Sequence, residues 1–196
     1  MGYYGDRGET ELSELSGPGD TLLASIVTQW EAAAQPAVDA GIRTVFIRTG
    51  LVLARHGGFA ERLLPLTTRG LLRSLGPGTA WHSWITLHDH IRALDLLIAS
   101  NHAGPVNLIA STPVRNRDLI SVMSKAAGKS PGLPVPAWAL RIAIGKAIED
   151  LLSSQRARPD VLWRLGFHWA LPDIDSAAAW VMGSGEPPEP SKHHPK

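Results

Sequence analysis

The sequence has no cysteine, which excludes disulfides, thiolate metal ligands and cysteine nucleophiles and is typical of a cytoplasmic protein. The 19 Lys and Arg residues nearly balance the 18 Asp and Glu residues, and the net charge of +1 predicts no basic face for nucleic acid. No apolar run reaches the roughly 18 residues of a membrane span. We therefore expect neither nucleic acid nor a membrane as a partner.

Hydrophobic residues make up 44% of the 196 residues, enough to form one core with a small appendage. Strand-like and helix-like segments alternate as far as Ile109, which predicts an α/β sheet with crossover helices. The short run Val45-Phe46-Ile47 is too brief for a helix and predicts a buried parallel strand, and 105–109 predicts the last strand. After Pro113 the pattern predicts helices only.

Apolar residues between 21 and 40 recur at helical spacing, which predicts a helix with one buried face. Asp20 is the expected N-cap, Pro36 a kink or early end, and Gly41 the stop. The apolar positions are Leu22, Leu23, Ile26, Val27, Trp30 and Ala34. A second helix is expected to begin near His88 or Asp89.

Several motifs occur in an order that resembles a known family. They are GYYGDRG, WEAAA, VFIRTGLVLA, SWI before an HD helix start, GPVNL, LPVPAWALR and GF-x-W-x-x-PDID. From residue 2 to about 181 the chain resembles atypical epimerase-family proteins of the extended short-chain dehydrogenase/reductase superfamily, which end in a domain of unknown function. The resemblance implies a Rossmann-like, nucleotide-binding oxidoreductase of the epimerase/dehydratase type that uses NAD or NADP, and an unknown small-molecule substrate.

The resemblance also implies a domain division and a missing part. Residues 1–113 would be the C-terminal part of the Rossmann-like NAD(P)-binding domain, 114–182 a small helical domain, and 183–196 a disordered tail. In the family GYYG follows the fifth strand, so we expect the dinucleotide-binding N-terminal half to be absent and the chain to be truncated.

Dinucleotide binding in this fold needs a Gly-rich turn after the first strand. The nearest matches, Gly17-Pro18-Gly19 and Gly76-Pro77-Gly78, carry Pro between the glycines and are read as plain turns rather than phosphate sites. We therefore expect this chain alone to bind no cofactor.

No catalytic residue is predicted. The superfamily uses a Tyr/Lys dyad, but the chain has only Tyr3 and Tyr4, and the basic residue at matching spacing is Arg7, which cannot lose its proton. Aligned on WEAAA, the family's two positions fall on about Leu23 and Val27. We expect no autonomous redox activity.

Candidate binding residues lie where predicted strands end. Tyr3, Tyr4, Thr49 and Gly50 are the predicted cofactor-binding residues, with core packing and a β-turn as the alternatives. By resemblance Trp81, Ser83 and Trp84 lie near the substrate pocket, although seven tryptophans in one small domain are more typical of core packing.

The remaining polar clusters favour no site. We expect no metal ion at His82, His88, Asp89 and His90, because His88 and His90 diverge at a helix start and the helix dipole explains Asp89. The acidic run Glu9, Glu11 and Glu14 is typical of a solvated loop.

Three hypotheses for function follow. The first is an inactive part of an NAD(P)-dependent epimerase-like protein. The second is a non-catalytic interaction module, in which residues 114–181 and an exposed strand edge at 45–47 bind a partner chain or a second copy. The third is an enzyme that uses His88 or Asp89.

Overall fold

A computed structural model describes residues 1–57, 69, 72–130, 132–135 and 152–183. The helices are a 3-10 turn at Gly2–Tyr4, α1 Leu22–Ala33, α2 Gln35–Asp39, α3 Leu87–Ala99, α4 Asn116–Ala126, α5 Asp160–Arg164 and α6 Ile174–Val181. The strands are β1 Glu11–Leu12, β2 Val45–Thr49, β3 Leu51–Leu53, β4 Leu72–Leu75, β5 Trp81–His82, β6 Trp84–Thr86, β7 Gly104–Leu108, β8 Val114–Arg115, β9 Leu133–Val135 and β10 Arg156–Ala157.

The longest strand pair is β2 with β7. The two strands run parallel, with Val45 opposite Gly104 and Thr49 opposite Leu108. The predicted strand at 45–47 and its parallel direction are thus confirmed, and the strand predicted at 105–109 is β7. The predicted burial is wrong, because Val45 and Phe46 are only partly buried and Ile47 is 45% exposed. Directly after Gly50 the chain changes partner, because β3 pairs in parallel with β6.

Gly50 is required at this change of partner. A Cβ atom there would lie 2.5 Å from the Ser83 carbonyl oxygen and 2.7 Å from Cγ2 of Ile109, closer than real Cβ contacts. The Gly50 amide donates to Leu108 O and the next amide, of Leu51, donates to Ser83 O. The missing side chain therefore lets two neighbouring segments approach one strand end.

The prediction of helices only after Pro113 is wrong in detail. β8 pairs antiparallel with β5, β9 pairs in parallel with β4, and β10 pairs in parallel with β1. These strands are two or three residues long, too short for an apolar alternation to be recognised in the sequence. They pair the C-terminal segments with strands from earlier in the chain.

The helix α1 differs from its prediction at both its start and its buried face. Its N-cap is Thr21, whose side-chain oxygen accepts a hydrogen bond from the Ala24 amide. Ala24 is its one buried residue, whereas Leu22 is 77% and Trp30 72% exposed. The apolar periodicity predicted the helix correctly, but in the described structure that face packs against little.

Two large apolar clusters lie among the described residues. One joins Leu53 and Trp84 to buried residues of α4 and α6, so these helices pack on strands from the first part of the chain. The other joins α3 and β7 to α5 and Phe167. The predicted helices at 116–126, 160–164 and 174–181 are confirmed, while the predicted domain boundaries stay a prediction.

Other predictions lie outside the described residues. These are the loop and helix expected around 58–71, the helix expected within 136–151, and the disordered tail from 184 onwards. Among the described helices, none has both the length and the apolar character to cross a membrane.

Candidate functional site

Tyr4 lies inside the protein, in a 3-10 turn rather than at the strand end that the sequence predicts. Its hydroxyl lies 2.8 Å from Asn107 Oδ1 and 3.0 Å from Ser13 O, either of which can accept its proton, and it accepts from Arg48 Nη1 at 3.1 Å. Burial raises the pKa of Tyr4, and the Arg48 and Asn107 hydrogen bonds oppose this. The predicted tight turn is confirmed by Gly5, whose φ is +64°.

Arg48 organises the polar groups around the two tyrosines. Its guanidinium makes two 2.8 Å hydrogen bonds to the Glu31 carboxylate and lies 3.4 Å from the centre of the Tyr3 ring. Burial alone would lower the pKa of Arg48, but the hydrogen bonds to Glu31 and Tyr4 outweigh it and raise the pKa. Arg48 is not among the residues predicted from the sequence, although an arginine inside the apolar strand VFIRTG is a signal of a buried polar contact.

Thr49 ends β2, so it lies at the carboxyl end of that strand. Its hydroxyl is 3.1 Å from Nε2 of His90 on α3, and burial lowers the pKa of His90. Ile109 connects the predicted cofactor-binding residues, because it packs in one cluster with Tyr3 and Tyr4 and lies against Gly50. Tyr3 and Tyr4 thus contact Arg48, whereas the next side chain along β2, that of Thr49, contacts His90 on α3. The role of Tyr3, Tyr4, Thr49 and Gly50 in cofactor binding stays a prediction.

The predicted substrate-binding residues point in different directions. The Ser83 hydroxyl is buried, donates to Gln155 O at 2.8 Å and accepts from the Ala157 amide at 2.9 Å. Trp84 is a core residue whose indole donates to Thr112 O. Trp81 is partly exposed and its indole donates to Glu9. Their role in substrate binding stays a prediction.

Asp89 near the start of α3 has structural partners, whereas Nε2 of His88 is buried without a hydrogen-bond partner among the described residues. Asp89 is fully buried and accepts from the amides of Ala170 and Leu171 as well as from Arg92. The prediction that the helix dipole alone explains Asp89 is therefore wrong. The carboxylate also binds the segment before α6. The N-cap of α3 is Thr86, not His88 or Asp89.

His82 is buried and neutral. Its Nε2 lies 3.0 Å from Nδ2 of Asn116, and burial lowers its pKa to about 4, with the N-terminal amino group adding to this effect. Among the described residues, no group of three or more His, Cys, Asp or Glu side chains is arranged to hold a metal ion.

Glu14 corrects the interpretation of the acidic run as a solvated loop. It is 6% exposed, and its Oε1 accepts from the amides of Asn107 and Val161. The burial could not be predicted because both amides belong to elements more than 90 residues away in sequence. Glu9 is exposed but pairs with Arg115.

The described residues do not fit the pyrophosphate of a dinucleotide. A Cβ at Gly19 would strike the Tyr4 carbonyl, and one at Gly78 would lie 2.8 Å from Ser74 Cβ and 2.9 Å from Arg117 Cβ. These glycines accommodate neighbouring protein atoms, not a ligand. Gly17-Pro18-Gly19 lies between β1 and α1, but Gly19 packs closely against Tyr4 and Gly5, and we assign no step of cofactor chemistry to these residues.

Several known proteins are similar to this chain over most of its length. The Domain of unknown function (DUF1731) matches residues 135–181. An epimerase family protein of Mycobacterium bovis is 40% identical over 92% of this chain, and the chain spans 61% of that relative's length. The chloroplastic epimerase family protein SDR39U1 homolog of Arabidopsis thaliana is 28% identical, with 52% of its length spanned.

Solved structures agree with this result. The crystal structure of human epimerase family protein SDR39U1 with NADPH is 27% identical and has a TM-score of 0.85, covering 92% of this chain and 62% of the human one. The UDP-glucose 4-epimerase of Thermus thermophilus in complex with NAD, 17% identical with a TM-score of 0.74, shares the fold.

The predicted α/β Rossmann-like fold with parallel strands is confirmed. The alignments do not support the predicted absence of an N-terminal half, which stays a prediction. In sequence and fold the chain is thus similar to epimerase family proteins over 92% of its length, and residues 135–181 match DUF1731.

Proposed function

We propose that this chain forms one wall of the ligand cleft in an NAD(P)-dependent epimerase/dehydratase-like oxidoreductase and catalyses no reaction by itself. The cofactor would be NAD or NADP, the substrate a small molecule, and the location cytoplasmic. The supporting neighbours are the human protein, solved with NADPH, and the Thermus protein, solved with NAD.

The observation that carries the proposal is the position of Thr49 and Gly50 at the carboxyl end of β2, next to Arg48, which contacts Tyr3 and Tyr4. α/β sheets bind ligands at the carboxyl ends of their parallel strands, and Thr49 ends β2. The Thr49 hydroxyl and the partly buried Tyr3 ring are the groups that a nicotinamide or substrate would meet there.

The same site supports the lack of autonomous catalysis. Tyr4 is buried and its hydroxyl is occupied by Asn107 and Arg48, so it is poorly placed to exchange a proton with a substrate. Arg48 stays protonated because its hydrogen bonds raise its pKa. The described glycine turns do not fit a pyrophosphate, so we expect the chain alone to bind no cofactor.

The test is a titration with NADPH and NADH, followed by tryptophan fluorescence and calorimetry. We expect no saturable binding to the chain alone. Saturable binding is expected after addition, as a separate polypeptide, of the part of the Mycobacterium bovis relative that the alignment leaves unmatched. Tight binding of NADPH or NADH to the chain alone would overturn the proposal that the chain has no function by itself. If the mixture binds neither cofactor, the proposal that the chain forms one wall of the cleft is overturned.

A matched pair of variants locates the wall. Thr49→Val removes the hydroxyl at the carboxyl end of β2, whereas Thr44→Val makes the same change just before the amino end of that strand. We expect Thr49→Val to weaken NADPH binding by the mixture roughly tenfold, as for a lost hydrogen bond in a site, and Thr44→Val to leave it unchanged. Equal effects would contradict the assignment.

A second candidate function is a non-catalytic interaction module, either a homo-oligomer or a complex with a partner chain. The observation in its favour is the exposed apolar face of α1, beside β2, whose Ile47 is 45% exposed. Among the described strands, β2 pairs on one edge only, with β7. Exposed apolar surface next to an open strand edge is typical of an interaction surface.

Analytical ultracentrifugation of the chain and of Trp30→Ser tests this candidate. We expect concentration-dependent self-association that Trp30→Ser reduces, while Leu133→Ser, an exposed apolar residue on β9, has no effect. If the chain is strictly monomeric, the homo-oligomer is excluded and the complex with a partner chain remains. NADPH binding by the mixture described above would then identify the partner as the rest of the same protein.

A further inference from the structure

A cavity of about 620 Å³ lies at the amino end of β7, away from the strand end that carries Thr49 and Gly50. It is enclosed by the segment after β1, by the turn before β7 and by α5. Its lining residues are Ser13, Glu14, Leu15, His102, Ala103, Pro105, Asp160, Val161, Trp163 and Arg164. Its volume is that of a small-molecule site.

Glu14 supplies the charge of this cavity. Its Oε1 is held by two backbone amides, those of Asn107 at 3.1 Å and Val161 at 3.2 Å. In the described part of the chain, no cationic side chain forms an ion pair with Glu14. A buried carboxylate without a counter-ion favours a ligand that brings a positive charge and hydrogen-bond donors.

Trp163 supplies the apolar side of the cavity. His102 also lines it, but Nε2 of His102 is buried and has no accessible surface, so a ligand in the cavity does not contact that atom. The Trp163 ring and Leu15 are exposed apolar surfaces at the same cavity. An aromatic ring beside a carboxylate is the arrangement that binds flat organic cations.

We propose that this cavity is a second ligand site, which binds an amidinium or guanidinium group attached to a flat apolar body. The cation lies against Glu14, while the apolar body packs on Trp163. Asp160 is engaged by Arg158, which leaves Glu14 as the acid available to the ligand. Arg164 is exposed, and as a cation lining the cavity it weakens binding of the ligand.

Three probes of nearly the same shape test the sign of the charge. Benzamidine is the cation, benzamide its neutral counterpart and benzoate the anion. We expect benzamidine to shift the amide signals of Val161 and Asn107 and the indole signal of Trp163 in two-dimensional NMR spectra of the whole chain, with a Kd in the millimolar range. No shift with benzamidine, or an equal or stronger response to benzamide or benzoate, would overturn the proposal.

The variant Glu14→Gln keeps an acceptor for the two backbone amides and removes the charge. We expect it to weaken benzamidine binding roughly tenfold or more, the usual effect of losing a charged hydrogen-bond partner. Asp175→Asn, an exposed acid on α6, is the matched control and should leave binding unchanged. Equal binding by Glu14→Gln and the parent chain would overturn the proposal.

Two exposed positions keep the test decisive if Glu14→Gln fails to fold. Trp163→Leu should weaken benzamidine binding roughly threefold to tenfold by removing the ring. Arg164→Ala should strengthen it a few-fold by removing a like charge. Weaker binding in Arg164→Ala would mean that the cavity prefers anions, and it would overturn the proposal.

Discussion

Two Arg–Glu pairs in this protein have nearly the same geometry and differ in burial. Arg48 makes two 2.8 Å hydrogen bonds to Glu31 and lies over the Tyr3 ring. Arg115 makes two 2.7 Å hydrogen bonds to Glu9 and lies 4.0 Å from the centre of the Trp81 ring. The side chains are 4% and 20% exposed in the first pair and 23% and 70% in the second.

The comparison separates geometry from energy. In the surface pair water solvates each charge when the partner is removed, and salt screens their attraction. In the buried pair neither charge is well solvated, so removal of one partner leaves an uncompensated charge in the interior. We therefore expect the buried pair to hold Tyr3, Tyr4 and α1 in place, and the surface pair to contribute little to stability.

The largest expected effect is that of Arg48→Met. The variant leaves the largely buried Glu31 carboxylate without its cation and takes a donor from the Tyr4 hydroxyl, so the free energy of unfolding should fall by about 3 to 5 kcal/mol. Urea unfolding followed by tryptophan fluorescence measures it.

The double variant Arg48→Met, Glu31→Met is the control for this prediction. Because it leaves no unpaired charge, it should be clearly more stable than Arg48→Met alone. If the stability losses of the two single changes simply add, Arg48 and Glu31 are not coupled and the comparison between the two Arg–Glu pairs fails.

The next effect concerns pH and His82, the neighbour of Trp81 on β5 that points into the protein. Unfolded His82 binds a proton below about pH 6.5, while burial lowers its pKa to about 4 in the folded protein. Unfolding therefore takes up a proton between these values, and stability falls by up to about 3 kcal/mol as pH drops from 7 to 4. Urea unfolding at several pH values measures this slope.

His82→Gln should flatten that slope, because Gln can still accept from Asn116 but does not titrate. His168→Gln changes an exposed histidine and should keep the slope of the parent chain. A slope unchanged in His82→Gln would show that other groups cause the acid sensitivity.

The sequence predicted the strands and helices of this fold better than its polar contacts. β2, β7 and α4 have apolar patterns of clear period, and Gly128 follows α4 with φ +70° as a helix stop. Tyr4 and Asn107 are 103 residues apart, and no local pattern records that they meet. Glu14 was misread for the same reason.

The candidate site was predictable in part. The strand end at Thr49 and Gly50 follows from the predicted strand, and Gly50 lies against Ile109, which belongs to the same apolar cluster as Tyr4. The Arg48–Glu31 pair beside the tyrosines could not be predicted. It depends on β2 and α1, which pack together only in the tertiary fold. Sequence periodicity predicts which face is apolar, not which polar groups meet beneath it.

A smaller effect comes from the conservative change at each pair. Arg48→Lys keeps the charge but loses the planar two-point contact with Glu31 and the contact with the Tyr3 ring, so it should destabilise by about 2 kcal/mol. Arg115→Lys makes the same change at the surface and should leave the urea midpoint unchanged. Equal losses in both variants would mean that geometry, not burial, sets the strength of these pairs.

The smallest effect is expected for Glu9→Gln. Hydrogen bonds from Arg115 and then from the Trp81 indole lower the pKa of Glu9 to about 2. The carboxylate therefore favours the folded state above the unfolded pKa near 4.5, and this preference is lost as pH falls toward 2. Because Glu9 is solvated in both states, the urea midpoint of Glu9→Gln at pH 7 should match the parent chain within error and should not diverge in 1 M salt. A loss of stability as large as that of Arg48→Lys would show that the Glu9–Arg115 pair holds the segment after Gly5 in place. Burial would then not be what distinguishes the two pairs.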